Sequence, residues 1–131
     1  IIEVGTKAGF ATLMLSSLSK KVITIDENAF WSPSIKDHLE MNNIRNVKIR
    51  NDKDLLKLFE EEIVNKPEVV YIDADQINPY RDLIKKFQKG NSDYKSVTIV
   101  YRTGGGFETE VIEPVKKITK KKLPDAVSVS G

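Results

Sequence analysis

Short apolar runs alternate with stretches of helical periodicity along this 131-residue chain. The apolar runs cover residues 1–4, 21–25, 47–50, 69–72, 97–101 and 126–129. Helical patterns cover residues 10–18, 34–41, 53–64, 79–88 and 111–122, and a flexible glycine loop covers 104–106. Strands that alternate with helices indicate βαβ units, a parallel sheet and right-handed crossovers. The sequence therefore predicts an α/β fold built on a doubly wound, mostly parallel sheet.

Length and composition limit the classes of protein to consider. A chain of 131 residues has the size of one domain, and its lack of cysteine excludes disulfides, zinc–thiolate sites and thiol nucleophiles. No apolar stretch approaches the ~18 residues of a membrane span. We expect one domain over residues 1–131, no membrane partner and a cytoplasmic location. Because the chain starts in its first strand and stops in its last, we also expect a fragment or a minimal core.

Charge gives little indication of a macromolecular partner. The formal net charge of +2 is too small to imply a nucleic-acid partner. The lysines of residues 116–122 form a basic run on the last predicted helix. Such a run usually marks a solvated helix face, and a phosphate-contacting patch is the alternative.

The first nine residues, IIEVGTKAG, combine a buried strand, a glycine turn and the start of a helix. Gly5 and Gly9 carry no Cβ, so the backbone there can approach a ligand closely. The helix that follows offers unpaired N–H groups to a polar or anionic ligand. We interpret this segment as a cofactor-binding turn, with an ordinary β–turn–α connection as the alternative.

Polar residues mark the ends of the first four predicted strands. In a doubly wound sheet, ligands bind outside the carboxyl ends of the strands. The residues found there are Glu3, Thr6 and Lys7 around the first turn, then Asp26, Asn51, Asp52, Asp73 and Asp75. Any one of them alone is typical of an acidic turn, but their occurrence on adjacent strands predicts a binding site.

The spacing of Asp26 indicates the kind of ligand. Asp26 stands 21 residues after Gly5, a spacing at which a carboxylate can accept hydrogen bonds from both ribose hydroxyls of a nucleoside cofactor. A role as cap of its own turn is the alternative. A dinucleotide fingerprint also needs glycine where this chain has Lys7 and Phe10. A nicotinamide-dependent oxidoreductase is therefore the weaker interpretation.

In these motifs the chain resembles the class I S-adenosylmethionine-dependent methyltransferases. The segment EVGTKAG, residues 3–9, is similar to their first motif, with Lys7 in place of a glycine that is common there. Asp26 is similar to the acid that binds the ribose, and Asp52 to the aspartate that meets the adenine amino group. The segment DADQINPY, residues 73–80, is most similar to the small-molecule O-methyltransferase branch of the caffeoyl-CoA and catechol type.

The resemblance implies a strand order of 3-2-1-4-5 with strand six beyond, and S-adenosylmethionine as cofactor. It implies methyl transfer to an acceptor, small molecule or macromolecule, that the sequence does not specify. The implied cofactor-binding residues are Glu3, Gly5, Thr6, Lys7, Gly9, Asp26, Asn51, Asp52 and Asp73. No catalytic residue is predicted, because in-line approach of the acceptor supplies most of the rate. A non-catalytic Rossmann-like binding module, or a partner-dependent fragment of a larger methyltransferase, is the alternative.

The end of the fifth strand departs from that branch. Its metal-dependent members bind a divalent metal with the first aspartate after strand four, the position of Asp73, and with an Asp-Asn pair that ends strand five. Tyr101 and Arg102 occupy the place of that pair here. Arg102 would repel Mg²⁺, which prefers oxygen ligands. We therefore predict that no metal is bound, and that Arg102 pairs with Asp73 or binds an anionic acceptor.

Overall fold

The computed structural model describes residues 1–114, which form a six-stranded sheet. Its strands are β1 (Ile2–Val4), β2 (Val22–Asp26), β3 (Val47–Asn51), β4 (Val69–Ile72), β5 (Val97–Thr103) and β6 (Gly106–Ile112). They lie in the order β3-β2-β1-β4-β5-β6, with β1 to β5 parallel and β6 antiparallel to β5. The predicted doubly wound α/β sheet and its strand order are confirmed.

Helices join the parallel strands. They are α1 (Phe10–Leu18), α2 (Ser32–Met41), α3 (Leu55–Glu62) and α4 (Asn78–Gly90), with a short 3₁₀ helix over Ile63–Asn65. Pro33 and Pro79 lie in the first turns of α2 and α4, where a missing N–H costs no helical hydrogen bond. The side chain of Asp54 caps α3 by accepting a hydrogen bond from Lys57 N at 3.1 Å. Each of these four α-helices begins and ends within two residues of its predicted bounds.

No helix within residues 1–114 has the length and apolar character needed to span a bilayer.

Apolar side chains pack against both faces of the sheet. On one face, Val4 and Ile72 join a cluster around Phe59 of α3. On the other face, Leu15 of α1 packs with Tyr71 of β4. β1 lies in the middle of the sheet and all three of its residues are buried, as expected for a parallel strand covered on both sides. Any polar side chain on β1 must therefore find its partners inside the protein.

The segment after β5 differs from its prediction. The glycines at 104 and 105 form the turn of a β-hairpin, and residues 106–112 pair with β5. The flexible loop predicted over 104–106 is therefore wrong, and so is the helix predicted from residue 111. Ile112 lies opposite Val97 and is buried in the core, which stabilises a strand there. The rest of that helix and the strand predicted over 126–129 lie outside the described residues.

Candidate functional site

The carboxyl end of β1 is enclosed by its two neighbours. Gly5 N donates a hydrogen bond to Ile25 O at 2.8 Å, and Asp73 N donates one to Val4 O at 2.9 Å. Gly5 has a φ of +89°, and a Cβ built on it would overlap the carbonyl oxygen of Asp73. Only glycine fits this conformation and this close approach. The turn predicted from the sequence is therefore fixed by its contact with the end of β4.

The turn after Gly5 is also constrained at its later residues. Lys7 adopts a φ of +50°, a left-handed conformation that glycine takes at lower cost. Gly9 has a φ of +88° and precedes α1, and its N–H donates to Thr6 O at 3.0 Å. A Cβ at Gly9 would lie 2.7 Å from Cγ1 of Ile35 in α2. Gly9 therefore permits α1 and α2 to pack closely beside the turn.

Asp26 connects the end of β2 to this turn. One carboxylate oxygen, Oδ2, accepts a hydrogen bond from Lys7 N at 2.7 Å, and Oδ1 accepts one from Asn28 N at 3.1 Å. The side chain is nearly buried. A carboxylate offers about four acceptor sites, so about two remain for further donors. Asp26 thus stabilises the turn and can still bind a ligand with paired hydroxyl groups.

Asn51 and Asp52 lie behind Asp26. The Asn51 side-chain amide donates to Asp26 O and to Asn28 O, both at 3.3 Å, and its Oδ1 accepts from Ser32 Oγ at 2.8 Å. Asp52 N donates to Asp26 O at 3.2 Å. These contacts join the loops after β2 and β3. The structure therefore places Asn51 and Asp52 as supports of the Asp26 loop.

Glu3 is the central residue of β1, and its fully buried side chain lies beneath the turn, against α1. Its Oε1 accepts hydrogen bonds from the hydroxyls of Thr12 and, at 2.7 Å, Thr24. Because Thr24 gives its only hydroxyl hydrogen to Glu3, Thr6 donates to Thr24 across their 2.6 Å contact. The other oxygen, Oε2, has no hydrogen-bond partner within residues 1–114. Glu3 and Thr6 therefore support the turn from below.

Burial raises the pKa of Glu3 to about 7, since the charged carboxylate loses its hydration there. The hydrogen bonds from Thr12 and Thr24 act in the opposite direction, and nearby Asp26 and Asp73 raise the pKa further. Glu3 thus changes its protonation state near neutral pH.

An open cleft of about 580 Å³ lies at the carboxyl ends of β1, β2 and β4. Four of the nine predicted cofactor-binding residues line it, namely Gly5, Lys7, Asp26 and Asp73. A larger cavity, about 730 Å³, lies near the amino ends of β2 and β3, and none of the predicted site residues lines it. Ligands of such sheets bind at the carboxyl ends. The smaller cleft is therefore the candidate site.

The lining of the cleft carries more negative than positive charge. Five carboxylates line it, those of Asp26, Glu27, Asp54, Asp73 and Asp75. Two lysines also line it, at positions 7 and 53. This excess of carboxylates favours a ligand with positive charge.

The sequence does not predict the leucines of this lining. Leu55 and Leu56 belong to it, together with Tyr80 of the motif over residues 73–80. In the sequence, Leu55 and Leu56 are simply apolar residues of the helix predicted over residues 53–64. Their position after Asp54, which caps α3 beside the loop of β3, is the signal that could have placed them at the cleft.

Two cations contact Asp73 at the mouth of the cleft. Arg102 Nε lies 3.5 Å from Asp73 Oδ1, and Lys7 Nζ lies 4.0 Å from the same oxygen. The pairing of Arg102 with Asp73 is one of the two roles that the sequence suggests for this arginine. Within the described range, no cluster of three acidic, histidine or cysteine side chains could hold a metal ion.

Comparisons with known proteins show similarity of fold. No family model matches the chain, and no curated protein matches it. A dimethyladenosine transferase from Plasmodium falciparum is 20% identical, with a TM-score of 0.55. The match covers 78% of this chain and 35% of the transferase chain. An rRNA methylase from Streptococcus thermophilus is 17% identical, with a TM-score of 0.51, and the match covers 97% of this chain and 68% of the methylase chain. A SAM dependent methyltransferase from Aquifex aeolicus is 14% identical with a TM-score of 0.53, covering 99% and 70%. The chain has the Rossmann-like fold of these methyltransferases and spans about a third of the length of the first.

Replacement of Gly5 by alanine should lower the free energy of unfolding by at least about 1–2 kcal/mol. The new residue would be strained at positive φ, and its methyl group would overlap the Asp73 carbonyl. Urea denaturation measures the effect. Gly104→Ala is the control, because a Cβ there meets nothing within 4 Å. Equal losses in the two variants would contradict this account of the turn.

Glu3 should make the protein less stable as the pH rises from about 4.5 to about 7. In this window the native state keeps a proton that the unfolded state releases, because the pKa of Glu3 is raised from 4.5 to about 7 on folding. Replacement by glutamine removes this loss, which amounts to about 3 kcal/mol at and above pH 7. Urea denaturation at a series of pH values compares the two proteins. Parallel pH profiles of wild type and Glu3→Gln would show that Glu3 is not the titrating group.

Proposed function

We propose that this chain is the S-adenosylmethionine-binding core of a methyltransferase, forming one domain over residues 1–131. The observation that carries the proposal is the position of Asp26. Its carboxylate lies at the end of β2, beside the Gly5 turn, and retains acceptor sites that suit paired ribose hydroxyls. The methyltransferase fold of the solved neighbours supports it.

The charge of the cleft fits this cofactor. S-adenosylmethionine carries a positive sulfonium and a positive amino group against one carboxylate, and the cleft has five carboxylates against two lysines. Gly5 lines the cleft, and its missing Cβ lets the turn pass directly against the Asp73 carbonyl. When bound, the cofactor supplies an activated methyl group: the acceptor atom forms the new bond to carbon, and the electron pair of the broken carbon–sulfur bond stays on sulfur.

The predicted cofactor residues divide into two groups under this proposal. Those that line the cleft, and would contact the cofactor, are Gly5, Lys7, Asp26 and Asp73. Those that hold the turn and the loops in place are Glu3, Thr6, Gly9, Asn51 and Asp52. We propose that the second group acts on affinity through the geometry of the first.

The acceptor is proposed from separate observations. The motif after β4 favours the small-molecule O-methyltransferase branch. The solved neighbours include, by their names, an rRNA methylase and a ribosomal protein L11 methylase, which makes RNA or protein the second candidate. The acidic lining of the cleft favours a small acceptor, because a phosphate backbone would be repelled there.

A non-catalytic binding module is the alternative to an enzyme. The left-handed Lys7 and the Arg102–Asp73 contact are the features that favour it. Both remain compatible with binding of a nucleoside cofactor, since the Lys7 side chain is largely exposed and its N–H is held by Asp26.

Replacement of Asp26 by alanine should weaken binding of S-adenosylhomocysteine by about 1–3 kcal/mol, because charged hydrogen bonds to the ribose are lost. Titration calorimetry measures the affinity, and circular dichroism checks that the variant is folded. Asp82→Ala, at an exposed position of α4, is the control. No binding by the wild type at millimolar ligand would refute the proposed function, and an unchanged affinity would remove Asp26 from the site.

Millimolar Mg²⁺ should neither bind at Asp73 nor change the affinity for S-adenosylhomocysteine. Arg102 lies 3.5 Å from the Asp73 carboxylate, and a guanidinium stays charged at any working pH. Calorimetry with Mg²⁺, before and after EDTA, measures both quantities. Saturable Mg²⁺ binding that disappears in Asp73→Asn would restore the metal-dependent mechanism.

A further inference from the structure

We propose that Arg102 and Lys7 form a binding site for the negatively charged group of the methyl acceptor, and that this acceptor is a small aromatic anion. The inference rests on the proposed function, because it names the acceptor class of the same site. Its experiment separates failure of the anion site from failure of cofactor binding.

Positive charge exceeds negative charge at the contact with Asp73. Arg102 and Lys7 both approach one oxygen of this single carboxylate. Their side chains are 60% and 63% exposed, whereas that of Asp73 is 21% exposed. Within residues 1–114, no other carboxylate lies within 4.0 Å of either cation. One positive charge is therefore available to a ligand.

The guanidinium of Arg102 also retains hydrogen-bond donors. A guanidinium has five N–H donors in a planar fork that matches a carboxylate. The nearest approach to Asp73 is through Nε, at 3.5 Å. The Tyr71 side chain also lies within hydrogen-bonding reach of the guanidinium. Asp73 and Tyr71 engage two of the five donors, so about three remain. A planar anion can therefore bind to this fork through two hydrogen bonds.

An aromatic surface lies beside the cation. Phe107 is paired opposite Arg102 across the β5–β6 hairpin, and the guanidinium carbon lies 5.2 Å from the centre of its ring. The ring of Tyr71 lies 5.8 Å from that of Phe107. Phe107 remains 54% exposed. The contact with Phe107 orients Arg102, and the exposed ring favours an acceptor with an aromatic group.

The sign of the charge changes at Asp73. On the cleft side, Asp26 suits the ribose hydroxyls of the cofactor, and Asp75 adds negative charge that suits its positive end. On the β5 side, Arg102 suits an anion. The two charges would thus bind on either side of one aspartate, which brings a negative acceptor next to a positive cofactor. The acidic cleft and the chain's net charge of +2 argue against a long phosphate backbone as the anion.

The test compares benzoate with its uncharged analogue benzamide by NMR titration of the full chain saturated with S-adenosylhomocysteine. Benzoate should bind about tenfold or more tightly than benzamide, since hydrogen bonds to a charged group are lost with the amide. Arg102→Gln should abolish this preference, and Arg102→Lys, which keeps the charge without the fork, should retain part of it. Arg45→Gln, at an exposed position far along the chain from the site, should retain all of it.

Several outcomes would overturn the proposal. Equal affinities for benzoate and benzamide, or an undiminished preference in Arg102→Gln, would exclude the anion site. Inorganic phosphate that binds as tightly as benzoate would exclude the aromatic part. A single-stranded oligouridylate that binds more tightly than benzoate, and loses affinity in Arg102→Gln, would favour RNA as the acceptor instead.

The same samples keep the two hypotheses apart. Arg102→Gln should bind S-adenosylhomocysteine as wild type does, because Arg102 does not line the cofactor cleft. A wild type that shows the benzoate preference in the absence of any S-adenosylhomocysteine binding would refute the proposed function and leave an anion site. Normal cofactor binding without benzoate preference would refute the anion site alone.

Discussion

The close contact between Gly5 and the backbone of Asp73 is the constraint on which the rest of the site depends. β1 is enclosed by β2 and β4, so the chain can leave the sheet only by turning sharply at the end of the strand. The turn passes so near the Asp73 carbonyl that no side chain fits. This contact fixes the ends of β1 and β4 relative to each other. The cleft, the Lys7 N–H and the Asp73 carboxylate take their positions from it.

Beneath the turn, a buried polar network replaces apolar packing. Glu3 joins α1 and β2 through the hydroxyls of Thr12 and Thr24, and Thr6 extends the network into the turn itself. Apolar side chains would bury the same surface at lower electrostatic cost. Hydrogen bonds, however, fix one position of α1 relative to the strands, since each donor must meet its acceptor. The network therefore determines where the first residues of α1 lie relative to the cleft.

The fold was predictable because its signals are local and repeated. Alternating apolar runs and helical patterns identified five parallel strands and their helices. Gly5 and Asp26, whose interval suggests a nucleoside site, line one cleft. The β6 hairpin was not predictable, because Glu108 and Glu110 interrupt its apolar pattern. Pairing with β5, burial of Ile112 and the ion pair between Glu110 and Arg81 stabilise it instead. The sequence places Glu3 at the strand end, among the residues expected to contact a ligand. In the structure its side chain faces α1 and bonds to Thr12, because successive residues of a strand face opposite sides of the sheet.

Arg102 shows how one position can change the chemistry that a fold supports. In the metal-dependent methyltransferases that the motif after β4 resembles, positive charge beside the acceptor comes from a divalent ion, which needs several oxygen ligands. A guanidinium brings its own fixed charge and needs only one carboxylate and one aromatic ring to orient it, here Asp73 and Phe107. It cannot ligate two oxygens of a catechol as a metal ion does, but it can hold an anion through a planar fork. The same edge of the sheet would then select acceptors by their charge rather than by their ability to chelate a metal.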